Sequence, residues 1–229
     1  MPDIATNIAA IRTQIEAACN AAGRNPESVR LIAVSKTKPP AAIREAFDAG
    51  QIEFGESYVQ EFLEKKDSPE LSSLDLSWHF IGHLQSNKVR FIVGSIDLIH
   101  GIDKYSTAEA CAKQAQKLGI TVDYLLEVNT SGEPSKYGLH PDQLLAETEA
   151  FLALPNMRLR GLMTIASHDP ADARTEFRLL AQLLHQLQQR ADDPSMLTEL
   201  SMGMSGDFHE AIAEGATMIR IGTALFGWR

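Results

Sequence analysis

Short apolar runs and amphipathic stretches alternate along almost the whole chain. The first stretch, residues 3–23, places Ile4, Ile8, Ile11 and Ile15 at helical spacing, with Asp3 as N-cap and Gly23 as the stop. The run "RLIAVS" (30–35) follows, and "PPAAIREAFDAG" then predicts a helix that opens on proline and closes on Gly50. Strand-like runs recur at 51–56, 76–82, 96–103, 121–130, 159–167, 199–203 and 217–227. Helical patterns separate them: "SYVQEFLEKK", "SNKVRFIVG", "STAEACAKQAQKLG" capped by Ser106 or Thr107, "HPDQLLAETEAFLAL", "ARTEFRLLAQLLHQLQQR" and "DFHEAIAEG".

Most of these runs are continuously apolar, as strands covered on both faces must be. Eight β/α units in this length predict a single (β/α)8 TIM-type barrel over residues 1–229, with the leading helix packed on it as an addition. An open doubly wound sheet is the rival that the alternation alone leaves standing.

Composition narrows the function classes. Of 229 residues, 44% are apolar, enough for one full core, and the formal net charge is −9. That balance argues against a broad nucleic-acid footprint. It also offers an anion no long-range attraction, so a phosphate site has to be built locally from N–H groups and a few cations. Cys19 and Cys111 fit no metal spacing and read as buried or half-buried thiols in a reducing, cytoplasmic setting. There is no basic-then-apolar leader and no apolar run of membrane-spanning length, so no membrane partner is expected.

Barrels of this kind carry their chemistry at the carboxyl ends of the strands. Lys36 falls there on strand 1, in phase with Ile32 and Val34. Partly desolvated, it is a nucleophilic amine able to form a Schiff base with an aldehyde; otherwise it is a surface lysine beside a turn. Lys38 is its local competitor. The loops after strands 7 and 8 carry Gly203, Ser205 and Gly206, then Gly222 and Thr223. Each cluster alone also reads as a plain turn, but adjacent loops at this position are where such barrels hold phosphate. Arg220 lies inside the apolar "MIRIG" and needs a partner: Glu53, Asp97 or Glu127 in a barrel ion pair, or a ligand at the mouth. His79 and His83 straddle a strand end and lack further zinc ligands, so no metal is expected; His79 is read as lining the mouth or satisfying backbone groups. His209 reads as a surface residue.

The chain resembles a known family, the pyridoxal phosphate homeostasis proteins (the YggS/PROSC family). The resemblance is carried by "AVSKTKP", "FGESYVQE", "WHFIGHLQSNK", "VNTSGEPSKYG", "LRGLMTI", "LSMGMSGDFHEAI" and "MIRIGTALFG", in order through nearly the whole sequence. It implies a fold-type III barrel similar to the N-terminal domain of alanine racemase, binding pyridoxal 5′-phosphate (PLP) without established turnover. It further implies that Lys36 is the Schiff-base lysine. Ser205, Gly206, Gly222 and Thr223 then hold the phosphate, and Arg220 faces the pyridine nitrogen. Two positions depart from the family pattern: Ser57 stands where asparagine is usual, and His83 where proline is. The racemase-like tyrosine is missing, since position 40 is Pro40. The expected function is therefore cofactor homeostasis, with a slow amino-acid racemase as the alternative. PLP-dependent apo-enzymes are the implied recipients and a monomer is expected. A Schiff-base aldolase acting on a phosphosugar is a third class, separable by its lack of colour.

Overall fold

The computed structural model describes residues 3–167 and 169–227; the ends of the expected 1–229 span lie outside them. Eight parallel strands close into a barrel in sequential order: β1 (Arg30–Val34), β2 (Glu53–Glu56), β3 (Ser77–Phe80), β4 (Leu98–Ile102), β5 (Val122–Glu127), β6 (Met157–Met163), β7 (Glu199–Ser201) and β8 (Met218–Ile221). Closure pairs β8 with β1, Ile32 opposite Arg220 and Ala33 opposite Ile221. A closed parallel barrel leaves no free edge, which removes the open-sheet alternative.

Nine α-helical segments are described: α1 (Ile4–Ala21), α2 (Pro40–Asp48), α3 (Val59–Lys66), α4 (Val89–Ile92), α5 (Tyr105–Leu118), α6 (Pro141–Leu152), α7 (Pro170–Gln188), α8 (Phe208–Ala213) and α9 (Thr223–Phe226). Asp3 caps α1 by accepting from the Thr6 N–H at 2.7 Å, and Gly23 follows in the left-handed region. The buried stripe of α1, Ile8, Ile11, Ile15 and Cys19, joins the main core, so this helix is packed on the barrel as expected.

Several strand bounds are shorter or shifted against expectation, β5 ending at Glu127 and β6 running Met157–Met163, and three other boundaries also differ. The strand predicted over 217–227 stops at Ile221, and "TALF" turns helical. The helix predicted over "SNKVRFIVG" is a 3-10 turn, Ser86–Lys88, followed by the single turn of α4. Helix α5 starts at Tyr105 with Lys104 at its N-cap, and Thr107 is buried rather than capping. In all three, tertiary packing overrides local propensity.

The core has two parts. The larger lies between barrel and helices and takes one phase of each strand: Leu31 and Ala33, Phe54, Trp78 and Phe80, Ile99, Leu126, Leu162, Leu200, Ile219 and Ile221. The smaller, Ile32, Leu98, Leu125, Met163 and Met218, comes from strands alone and fills the lumen. Since side chains alternate along a strand, His79, His100, Glu127, Ser201 and Arg220 share the lumen phase.

Candidate functional site at the carboxyl end of the barrel

Lys36 lies two residues beyond β1 and is exposed. The strand expected to reach Ser35 ends at Val34, so partial burial of this amine is not what the fold provides. What it provides is position. Ile32 is in the lumen, Val34 follows in the same phase, and a Cβ on Gly222 would lie 3.3 Å from the Val34 Cβ and carbonyl oxygen. The lysine loop therefore leaves the barrel beside the loop that carries Gly222 and Thr223.

The loop is held from both sides. The Lys38 N–H donates to the Ser35 carbonyl at 3.0 Å, closing a tight turn. Thr37 sits at φ 65°, a left-handed conformation that costs a β-branched residue about 1–3 kcal/mol. Its N–H donates to Glu61, which offsets part of that cost. Lys38 is not a free amine: its Nζ donates to the Gly227 and Phe226 carbonyls at 2.9 and 3.3 Å, at the end of α9. Of the two candidate lysines, Lys36 is thus the one without a partner among the described residues.

Behind the loop lies a buried polar cluster. Lys65 Nζ donates at 2.6 Å to the Ser35 carbonyl, to Glu56 Oε1 and to Glu61 Oε1. Ser35 Oγ donates to the same Glu56 oxygen at 2.6 Å. Burial pushes the Glu56 carboxyl up, and Lys65 opposes this. None of these residues was singled out in the sequence except within the quoted "AVSKTKP" and "FGESYVQE" motifs, and Lys65 lies in neither. A lysine and two acids at helical and strand spacing look like ordinary surface charge until the fold brings them together.

The two glycine loops are placed differently from each other. Gly203 sits at φ +94°, and a Cβ there would lie 2.6 Å from the Ala211 Cβ. It serves the close approach of α8 to β7, not an anion. Gly206 is open, with nothing within 4 Å of a Cβ position. The first α8 N–H groups are partly used, Asp207 and Phe208 both donating to the Met204 carbonyl. Among the described residues, the Ser205 and Gly206 N–H groups donate to no protein acceptor, nor do those of Thr223 and Ala224 at the start of α9.

Arg220 is buried in the lumen and makes none of the three ion pairs considered for it. Its Nη1 donates to Ser201 Oγ at 2.6 Å and its Nη2 to the Thr164 carbonyl at 2.8 Å. Burial pulls its pKa down to about 10, against the attraction of Glu127 and Asp207. Glu53 pairs instead with Arg30, and Asp97 accepts from the Trp78 N–H.

Three further acid–base groups lie close by: Glu127, considered in the sequence only as an ion-pair partner for Arg220, and Asp103 and His100, which the sequence analysis missed. Glu127 ends β5 in the lumen phase, and burial, then Asp103, push its carboxyl up to about 7. Asp103 is buried beside His83, whose Nδ1 lies 3.3 Å away and whose ring stacks on Tyr137 at 4.1 Å. His100 lies inside β4 and contacts His79, which is in the lumen rather than at the mouth. A single polar residue within an apolar strand, as in "LIHGI" and "YLLEV", was the available signal. His209 is exposed. No group of three or more His, Cys, Asp or Glu among the described residues is arranged to hold a metal, and no described helix is long and apolar enough to cross a membrane.

Residues 6–229 match the family model of the alanine racemase N-terminal domain. A pyridoxal phosphate homeostasis protein of Pseudomonas aeruginosa is 47% identical over 100% of this chain and 97% of its own length. One from Aquifex aeolicus is 46% identical over 94% of both. The solved structure of PipY from Synechococcus elongatus with PLP bound superposes with a TM-score of 0.87 at 43% identity, covering 98% of this chain and 100% of PipY. The closed barrel, its added first helix and these full-length similarities place the chain in the alanine racemase N-terminal domain family, among the pyridoxal phosphate homeostasis proteins.

Proposed function

We propose that this protein binds PLP at the carboxyl end of its barrel and acts in intracellular PLP homeostasis. The observation that carries the reading is the arrangement of donors. A lysine with no partner among the described residues leaves the barrel beside Gly222, at the end of a strand paired with the one that carries a buried guanidinium, and the nearby loops carry N–H groups that donate to no described acceptor. That set suits an aldehyde, a pyridine nitrogen and a phosphate. When bound, PLP supplies an aldehyde that condenses with a primary amine and a ring able to withdraw electrons. Lys36 is the amine that forms the Schiff base. The Ser205 and Gly206 backbone, the Ser205 hydroxyl, and the Gly222–Thr223 turn hold the phosphate by N–H and O–H donation. Arg220 donates toward the ring nitrogen and, being charged, does not release its proton there. The ring is then a poor electron sink, which suits storage and release better than turnover. Effects on amino-acid and keto-acid balance follow from cofactor supply to PLP-dependent apo-enzymes, delivered by a monomeric barrel.

A visible spectrum of the purified protein with PLP, before and after borohydride, tests this. The imine band and covalent trapping are expected in the wild type and in Lys38→Ala, and neither in Lys36→Ala. Trapping at Lys38, or a colourless protein, defeats the reading.

One observation favours a slow PLP-dependent racemase as a second reading: Glu127 adds a lumen acid that titrates near neutrality. Chiral product formed on incubation with single amino acids, and lost in Glu127→Gln, would support it.

A further inference from the structure

A file of hydrogen bonds runs through the barrel lumen from one end toward the other. At the amino end, Glu53 Oε1 lies 3.1 Å from Arg30 Nη1 and 3.7 Å from His79 Nε2. His79 Nδ1 is 2.9 Å from His100 Nε2, and His100 Nδ1 is 2.8 Å from Ser201 Oγ. Arg220 Nη1 closes the file on Ser201 Oγ at 2.6 Å. His79, His100, Ser201 and Arg220 are all buried.

Donor chemistry gives this file one direction. A guanidinium only donates, so Ser201 Oγ accepts from Arg220 and sends its single proton to His100 Nδ1. His100 then carries its proton on Nε2 and donates to His79 Nδ1. His79 carries its own on Nε2, facing Ser77 Oγ at 3.4 Å and Glu53. In the reverse direction Ser201 would receive two donors, and its own proton would have no acceptor among the described partners. A cationic His79 forces that same reversal. Leaving a buried donor unpaired is costly. Burial first, with the positive charge of the Arg220 guanidinium acting in the same direction, holds the His100 pKa well below the usual 6.5, so that ring stays neutral.

We propose that Ser201, His100 and His79 are positioning residues for Arg220, forming a one-way hydrogen-bond file whose polarity the guanidinium sets and which in turn fixes the guanidinium in the lumen. The Thr164 carbonyl supplies the second anchor at 2.8 Å. In this direction every ring nitrogen on the Arg220 side of each histidine is an acceptor. The file therefore has no proton to pass toward the mouth, and a ligand nitrogen facing Arg220 stays unprotonated. The use made of Arg220 rests on the PLP reading above; the file itself does not.

Long-range ¹H–¹⁵N correlation of the histidine side chains, in the labelled full chain at neutral pH without added cofactor, tests it. The rings are assigned with single His→Gln variants. Both His79 and His100 are expected as neutral Nε2–H tautomers, and the Arg220 Nη protons as resolved, slowly exchanging signals. Ser201→Ala should give His100 mixed tautomers and collapse the Arg220 signals, while Ser201→Thr, which keeps the hydroxyl, should restore both. An Nδ1–H tautomer on either ring, a cationic His79, or a Ser201→Ala protein with unchanged His100 and Arg220 signals overturns the proposal. Should Ser201→Ala not fold, the wild-type tautomers alone decide. A wild type that fails to take up PLP defeats the cofactor reading and leaves this measurement intact.

Discussion

Lys65 Nζ lies 2.6 Å from the main-chain oxygen of Ser35, the residue immediately before Lys36. The same ammonium group holds Glu56 and Glu61, so one buried cation ties α3 and β2 to the turn that presents the Lys36 amine. Lys65 and Glu56 are 4% and 0% exposed at their side chains, where solvent screening is weak. Removing one partner of such a pair leaves a buried charge unpaired, at a cost of about 3–5 kcal/mol. Lys65→Met is expected to lower unfolding stability by that order in urea titrations. Glu56→Gln added to it should recover part of the loss, and strictly additive effects would show that the two groups do not act as a pair.

Glu127 makes stability depend on pH. Its folded pKa is pushed up to about 7 from 4.5, by burial first and Asp103 second. Between these values the folded protein keeps a proton that the unfolded chain has released. The stabilisation is therefore complete below pH 4.5 and is lost as pH rises through 7, amounting to about 3 kcal/mol at most. Urea titrations at pH 5 and pH 8 should show the wild type losing stability and Glu127→Gln losing much less. Equal losses in both would place the pH dependence elsewhere.

The two glycines of the β7–α8 loop should respond in opposite ways. Gly203→Ala brings a Cβ to 2.6 Å from Ala211 in a left-handed backbone, and should destabilise the fold by about 1–3 kcal/mol. Gly206→Ala meets nothing within 4 Å and should change stability by less than about 0.5 kcal/mol. Gly206→Asp puts a carboxylate into the space proposed for the phosphate. It should weaken PLP uptake by about tenfold or more, through like-charge repulsion. Unchanged uptake in Gly206→Asp would move the phosphate site away from this loop.

Both thiols should be silent in the native protein. Cys19 and Cys111 are each 0% exposed, and burial pushes the Cys111 thiol up to about 12 and raises Cys19 as well. A disulfide reagent at pH 8 is expected to modify neither until the chain unfolds, and then both, since it needs an accessible thiolate. Rapid native modification of either would show that its helix, α1 or α5, opens locally.

From the sequence alone came the order of eight β/α units, the added helix with Asp3 as its cap, a net negative charge that argues against a broad nucleic-acid footprint, and Lys36, Ser205, Gly206, Arg220, Gly222 and Thr223 as the residues to watch. These are legible because period, caps and turn chemistry are local, and because the strand ends of a barrel lie where its connectivity puts them. Only the tertiary structure decided that Lys38 is tied to the Gly227 and Phe226 carbonyls while Lys36 is not, and that Gly203 serves packing while Gly206 stays open. It also decided that Arg220 takes Ser201 and Thr164 as partners rather than a carboxylate. His79 meets His100 from 21 positions away, and His100 meets Ser201 from 101. No periodicity in a linear chain encodes such pairings. They arise when closing β8 onto β1 sets the strand register, and with it which polar side chains must find one another inside a buried lumen.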